Sequence, residues 1–306
     1  DYIRDNALYW LGEMNADGLR WDATVYIHSM GPGGEPLPDG WNMLRWINDE
    51  IDRTFPPESK LSIAEDLQNN ANITAPTSAG GAGFDSQWHA AFIHGIRAEM
   101  GKVNDGDRDM TAIANLVRWI DNADACKLVK YSESHDECAG NNGKQRLIED
   151  IWPGHARSYF SLKRASLALL TAIFSPGIPM LFQGQDNLEI GNWQDTVNFN
   201  WDDATWYNQY GNNYIAMFQD AIRVKRNWNN NTRGLRGYGI RAWHVNNDGK
   251  VIAFHRWETG GRGDDVVVII NFSNNVYQNY VLEGMPVPYP SNRTWYLRYN
   301  SDLGNR

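Results

Sequence analysis

At 306 residues the chain is long enough for one large domain and one smaller one. Its 42% hydrophobic content, spread without any long apolar run, gives a globular chain and excludes a transmembrane helix. A net charge of −9 argues against nucleic acid or an anionic membrane as the main partner.

Ala7, Leu8, Leu11 and Met14 recur at helical spacing over residues 5–15, and Gly18 stops that helix before a short strand ending in Arg20-Trp21-Asp22. Glycine- and proline-rich residues 31–40 form a loop. A helix over 41–55 follows, with Leu44, Ile47, Ile51 and Phe55 on one face and Pro56-Pro57 as its stop. Leu61 to Glu65 is the second strand, again apolar and again closing on a carboxylate. The loop from Asp66 to Gly83 is rich in Asn, Gly and Ala, a composition expected of a segment lying over a site. Phe84 to Trp88 is a weaker strand, with helices over 89–101 and 108–122 after it. Lys127 to Ser132 is the next strand and runs into Glu133-Ser134-His135-Asp136-Glu137. A helix over 157–174, the strand Ile178 to Gln183 and a helix over 212–227, with Ile215, Phe218 and Ile222 inward, complete the series.

From about Gly234 the texture changes to short strands with β-turn chemistry: Arg241 to Val245, Val251 to Trp257, Val266 to Phe272 and Trp295 to Tyr299. Strand–helix alternation with nearly continuous apolar strands predicts a parallel sheet buried on both faces over residues 1–231. Residues 232–306 predict a small antiparallel β-sandwich, ending short of a finished one. Cys126 and Cys138 show no metal-ligand spacing and read as small buried side chains in a reducing, cytoplasmic setting. The sequons at Asn72, Asn230, Asn271 and Asn292 matter only in a secreted chain.

Asp22, Glu65 and Asp136 each close a predicted parallel strand, and in a βα barrel such ends share one mouth, where barrel enzymes do their chemistry. Taken alone, Arg20 and Asp22 read as a structural ion pair, because two residues apart on a strand share a face. Three carboxylates on one rim, with Arg20 and His135 beside two of them, are hard to satisfy by pairing alone. Carboxylates on neighbouring strands approach the separation of about 5–5.5 Å that a retaining glycosidase needs. The group beside a permanent cation stays ionised, so Arg20 makes Asp22 the nucleophile and leaves Glu65 as general acid, then base. Asp136 would stabilise charge at the anomeric carbon or fix the sugar hydroxyls, with His135 as a hydroxyl ligand. Fourteen tryptophans and fourteen tyrosines suit sugar rings, whose faces are apolar and whose edges hydrogen-bond. A zinc site built on His135, Asp136 and another histidine lacks any local ligand pattern. Gly31-Pro32-Gly33-Gly34 has no following Lys-Ser/Thr, and no Gly-x-Ser-x-Gly elbow occurs.

Gly18-Leu19-Arg20-Trp21-Asp22-Ala23, Ile63-Ala64-Glu65-Asp66 and Ser134-His135-Asp136-Glu137 resemble, in order and separation, three shared motifs of the α-amylase superfamily, glycoside hydrolase family thirteen. Residues 83–88 and 176–185 look like its 1,4-α-glucan branching enzyme side. The resemblance implies strands four to eight of a (β/α)8 TIM barrel followed by a C-terminal β-sandwich. It implies double displacement at α-1,4-glucosidic bonds, with Asp22 as nucleophile, Glu65 as acid/base and Asp136 as transition-state stabiliser. Arg20, His135 and Tyr26 would bind substrate, an α-glucan such as glycogen, starch or a maltooligosaccharide. No cofactor is implied, and any calcium site would lie in the absent N-terminal part. The family's first motif, Asp-x-x-x-Asn-His, is missing, so the other barrel half is expected from the rest of a longer polypeptide. Thr24-Val25-Tyr26 stands where starch hydrolases often carry Lys-His. An α-amylase-like hydrolase, a trehalose-releasing relative and a glucan-binding fragment without turnover are the alternatives.

Overall fold

The computed structural model describes residues 1–201, 204–286 and 294–302. Its contacts gather into two compact units, Asp1–Ala91 with Ile120–Val129 and Phe92–Trp119 with Lys130–Arg306.

In the first unit, α1 (Tyr2–Gly12) buries Ala7 and Leu11 and is followed by β1 (Gly18–Trp21). The helix ends earlier than its spacing predicts. Asn15 takes the left-handed conformation at φ 53°, the chain turns back, and Met14 is left exposed rather than inward. A four-residue helix α2 (Val25–His28), too short to show a period, precedes α3 (Pro38–Thr54). Proline is preset for a first helical turn, and Leu44, Ile47 and Ile51 form the buried stripe. The helix stops at Phe55, extended at φ −109° and ψ 154°, because the following proline disfavours helical geometry there. β2 (Leu61–Ala64) and β3 (Ser86–Trp88) lie parallel to β1 and to each other, with Trp21 opposite Ala64 and Ala64 opposite Gln87. A Cβ on Gly18 would stand 2.7 Å from the Leu61 carbonyl oxygen, so glycine is what lets β1 and β2 meet. β4 (Leu128–Lys130) continues the sheet, Gln87 opposite Leu128 and Trp88 opposite Val129.

The second unit takes over at the last residue of β4. α4 (Ala90–Gly101) contributes Phe92, Ile96 and Met100 to its core, and α5 (Met110–Arg118) contributes Met110, Ile113 and Val117. Asp109 caps α5 by accepting from the Thr111 and Ala112 amides. At the other end the fully buried Lys130 ammonium donates to the carbonyls of Leu116, Val117 and Trp119 at 2.9–3.0 Å. Those bonds close the helix before the predicted residue 122 and give a buried cation all three of its acceptors. A five-residue helix α6 (Leu147–Ile151) follows, then α7 (Tyr159–Phe174), exposed at Tyr159 and Phe160 and buried from Ala168 onward. β5 (Ile178–Pro179) is much shorter than the predicted Ile178–Gln183. Gly177 enters it at φ 121°, and proline supplies no amide to a ladder. Met180 N–H donates to the Lys130 carbonyl at 3.0 Å. α8 (Ala204–Trp206) runs into one π-helical turn, Tyr207–Gly211, and then α9 (Asn212–Lys225), which buries Phe218 while Ile215 and Ile222 are half-buried.

β6 (Gly239–Asn246), β7 (Val251–Trp257) and β8 (Val266–Asn271) form an antiparallel sheet, and Asn246 Oδ1 closes the first hairpin by accepting from the Asp248 and Gly249 amides. Among the described residues this single sheet is what the C-terminal β domain shows; a second layer of a sandwich is not among them. The predicted strand Trp295–Tyr299 is not one: Trp295, Tyr296 and Leu297 are exposed in succession, whereas a strand face alternates. Tyr299 instead meets the Phe174 ring, with centroids 5.3 Å apart. Buried Arg256 ties the domain together, donating to the carbonyls of Phe174, Leu235, Gly237 and Gly239 at 2.6–3.2 Å.

The strand order is β1-β2-β3-β4-β5 in one sheet and β6-β7-β8 in the other. A parallel sheet whose strands neighbour one another in chain order, with helices between, is a partial (β/α) barrel, here followed by a C-terminal β domain. Cys138 is buried as expected, but Cys126 is exposed, because its amide is drawn into a surface turn by Asp124 Oδ1 at 2.7 Å. Asn292 lies outside the described residues. Among the described residues no helix is long and apolar enough to cross a membrane.

Candidate active site

Asp22 and Glu65 each follow the last residue of a strand, and those last residues, Trp21 and Ala64, are register partners. The two carboxylates therefore leave the sheet side by side, one strand spacing apart at the backbone, about 4.8 Å. Arg20 serves both. Its Nη1 pairs with Asp22 Oδ1, its Nη2 stands 3.3 Å from Glu65 Oε2, and its guanidinium lies 4.4 Å from the centre of the Trp88 ring at the end of β3. The reading in which Arg20 ionises Asp22 and leaves Glu65 apart does not describe this geometry, because one cation faces both groups. What separates them is access: the Asp22 side chain is 75% exposed and that of Glu65 8%.

The backbone beyond Asp22 is folded back onto β2. Ala23 takes φ 45°, a left-handed conformation unusual for a residue with a Cβ, and its amide donates to Glu65 Oε2 at 2.6 Å. Thr24 N–H donates to the Glu65 carbonyl at 3.0 Å, and Thr24 Oγ1 donates to Asp66 Oδ2 at 3.0 Å. The same Asp66 oxygen is 2.7 Å from His28 Nε2, and the His28 ring stands edge-on to Trp41. Asp66, wholly buried, is thus the post to which the turn after Asp22 is tied. The middle of the following loop is bound to α3 through Trp41, Arg45 and Asn48, which donate to the Gly80, Thr77 and Ala82 carbonyls. Tyr26 stands on α2 with 64% of its surface exposed, and its ring lies against Gly31, where a Cβ would come within 2.9 Å of it.

His135 and Asp136 belong to the second unit, in a turn well past the end of β4 rather than at its last residue. Their side chains are 40% and 49% exposed and lie 3.4 Å apart at Nε2 and Oδ2. The Trp193 ring meets His135 edge-on at 6.1 Å between centroids, and Phe182 meets Trp193 likewise at 5.8 Å. Trp193 is held by its backbone, donating to the Cys138 carbonyl at 2.7 Å and accepting from Gly140 N–H at 3.0 Å. Behind the turn lie buried Glu133 and Arg146. Burial drives Glu133 above the usual carboxylate range against the opposing pull of Arg146 and Arg97. Burial, reinforced by the charge of Glu133, raises the Cys138 thiol, so Cys138 stays a protonated thiol at neutral pH. Among the described residues no three His, Cys, Asp or Glu side chains come together in a way that could hold a metal ion, and no calcium site is assigned to them. Sequence reasoning overlooked Trp88, Asp66, His28, Trp193 and Arg146; the strand-end position of Trp88 and the carboxylate directly after Glu65 were the available signals.

A family model described as "Alpha amylase, C-terminal all-beta domain" matches residues 243–305. The chain is 26% identical to the 1,4-α-glucan branching enzyme GlgB of Corynebacterium diphtheriae over 99% of its own length and 41% of that protein's. Against the GlgB of Bacillus cereus it is 27% identical over 94% of its own length and 43% of the relative's. Over nearly its whole length the chain is similar to 1,4-α-glucan branching enzymes, and its C-terminal part to the all-β domain of α-amylases. It spans about two fifths of the length of the branching enzymes it matches. A similar fold is seen in a pullulanase from an Anoxybacillus species, complexed with maltotetraose (TM-score 0.61, 18% identity, 89% of this chain and 40% of the other). The type III pullulan hydrolase of Thermococcus kodakarensis shares it as well (TM-score 0.61, 20% identity, 89% and 42%).

Proposed function

We propose that the full protein carrying this chain is a retaining α-glucan enzyme that cleaves an α-1,4 bond and transfers the severed glucan to a 6-hydroxyl. The observation that carries the reading is the Arg20 guanidinium held against two carboxylates at adjacent strand ends, in a chain whose relatives are branching enzymes. The exposed Asp22 attacks the anomeric carbon as the bond to the 4-oxygen breaks, and Glu65 gives its proton to the departing oxygen. In the second half Glu65 takes the proton of the acceptor hydroxyl, whose oxygen displaces Asp22 from the anomeric carbon. Arg20 orients the Asp22 carboxylate, and Glu65 is held in its buried position by the Ala23 amide. Asp136 offsets positive charge at the anomeric carbon, His135 binds hydroxyls, and Tyr26 offers a face to a sugar ring.

Amylose incubated with the full-length protein tests the reading. Falling iodine colour without new reducing ends means transfer, whereas a matched rise in reducing ends means hydrolysis and favours an α-amylase-like enzyme. Asp22→Asn is expected to lower turnover by about 10⁴-fold or more with folding nearly intact. Unchanged turnover in that variant would sink the assignment of the nucleophile, and glucan binding without turnover in the wild type would leave a binding protein.

A further inference from the structure

The turn bearing His135 and Asp136 is fixed from behind by a buried ion cluster. Glu133 is 4% exposed; its Oε1 accepts from Leu147 N–H at 2.8 Å and its Oε2 accepts from Arg146 Nη1 at 3.2 Å. Arg146 is 2% exposed, and its Nη2 donates to the Gln183 carbonyl at 2.9 Å and to Glu189 Oε2 at 2.5 Å. The Phe182 ring lies 5.3 Å from that guanidinium. One side chain thus joins the segment after β4, the segment before α6 and the segment after β5.

Two further observations show that the backbone is shaped around the cluster. Gly184 has φ 81°, and a Cβ there would stand 2.4 Å from Glu189 Oε2 and 3.1 Å from Arg146 Nη2. The turn is also gripped at its far end, where Cys138 N–H donates to the Ser134 carbonyl at 3.0 Å and the Cys138 carbonyl accepts from Trp193. Between these fixed ends, His135 and Asp136 are half-exposed and Glu137 less so. Arg97 braces the same region, donating to the carbonyls of Ser132 and Gln145 and pairing with Asp150.

We propose that Arg146 is the positioning residue of the His135–Asp136 turn, holding it in register for reaction through Glu133 and Glu189. The proposal rests on the reading in which Asp136 acts on the glucosyl transition state. Arg146 touches no substrate; it sets where Asp136 sits, and a displacement of about 1 Å at such a group costs on the order of 10²-fold in rate.

The test is a cycle in the full-length protein with Arg146→Met, Asp136→Asn and the double variant, measuring kcat and KM on amylose together with thermal melts. Arg146→Met is expected to lower kcat about 10²-fold with KM within twofold. The double variant is expected to be no slower than Asp136→Asn by more than about threefold, because the two changes act through one group. If Arg146→Met fails to fold, Arg146→Lys decides. Its ammonium cannot span both carboxylates, and a loss of about tenfold in kcat at unchanged KM supports the proposal. A folded Arg146→Met with wild-type kcat overturns it, as does a double variant whose losses multiply in full, or an Arg146→Lys of unchanged kcat. An Asp136→Asn of wild-type kcat overturns instead the reading of Asp136 itself, and the proposal with it.

Discussion

Replacing Arg20 by methionine separates catalytic from structural work at the strand-end site. The ion pair with Asp22 is three-quarters exposed on the acid's side, so solvent screens it and its contribution to stability is about 0.2–1 kcal/mol. Stacking on Trp88 adds about 0.5–1 kcal/mol. Arg20→Met should therefore cost about 1–2 kcal/mol in stability, a few degrees in melting temperature. In the proposed reaction a bound glucan would displace water from the site, and the same guanidinium pairs with Asp22 and faces Glu65 at 3.3 Å. Loss of such preorganised charge commonly costs about 10²–10³-fold in kcat, or about 3–4 kcal/mol on the barrier. Arg20→Lys keeps the charge but not the fork that serves two carboxylates, and a loss of about tenfold is expected. Initial rates from reducing-end and iodine assays, beside thermal melts of the same preparations, measure both sides. A folded Arg20→Met with kcat within about fivefold of wild type would refute the reasoning and return Arg20 and Asp22 to a structural ion pair.

Two predictions concern the C-terminal β domain. Arg256→Met strands the buried carbonyls of Phe174, Leu235 and Gly237 and the half-buried one of Gly239, and should destabilise by about 3–5 kcal/mol, seen by calorimetry as a fall on the order of 10 °C. Burial acts to raise the Asp264 carboxyl, but the amides of Glu258, Thr259 and Gly260 outweigh it and hold the group below its ordinary value of 3.8. A carboxylate depressed in the folded state adds stability above its unfolded value, and that stability fades as pH falls through the folded one. The melting difference between wild type and Asp264→Asn should thus be largest near neutral pH and close below about pH 4, and a pH-independent difference would count against the amide cage.

Much of the fold was legible because its signals are local. The Leu44–Ile47–Ile51 stripe, Pro56 after a helix end and the Asn247-Asp248-Gly249 turn each act within a few residues, whereas Pro38, read as loop, opens α3 three residues before the expected start at 41. Errors fell where a distant group decides. Lys130, read only as part of an apolar strand, reaches three carbonyls of α5 and ends that helix before residue 122. Residues 295–299 have strand composition but no ladder, since composition does not say whether a partner strand is present.

The site was legible in the same uneven way. Spacing on a strand put Arg20 and Asp22 together, and chain order put Asp22 beside Glu65, because consecutive strands are neighbours in this topology. The proposed division of roles between the two carboxylates does not follow from a nearby cation, since the strand register lets one guanidinium reach both. Their difference lies in what the chain does next: the left-handed turn at Ala23 aims an amide at Glu65 and carries Asp22 outward. A nucleophile must travel to a carbon and an acid must stay between two oxygens. Exposure on one strand end and an amide-bound, buried carboxylate on the next fit those two tasks better than a difference in neighbouring charge.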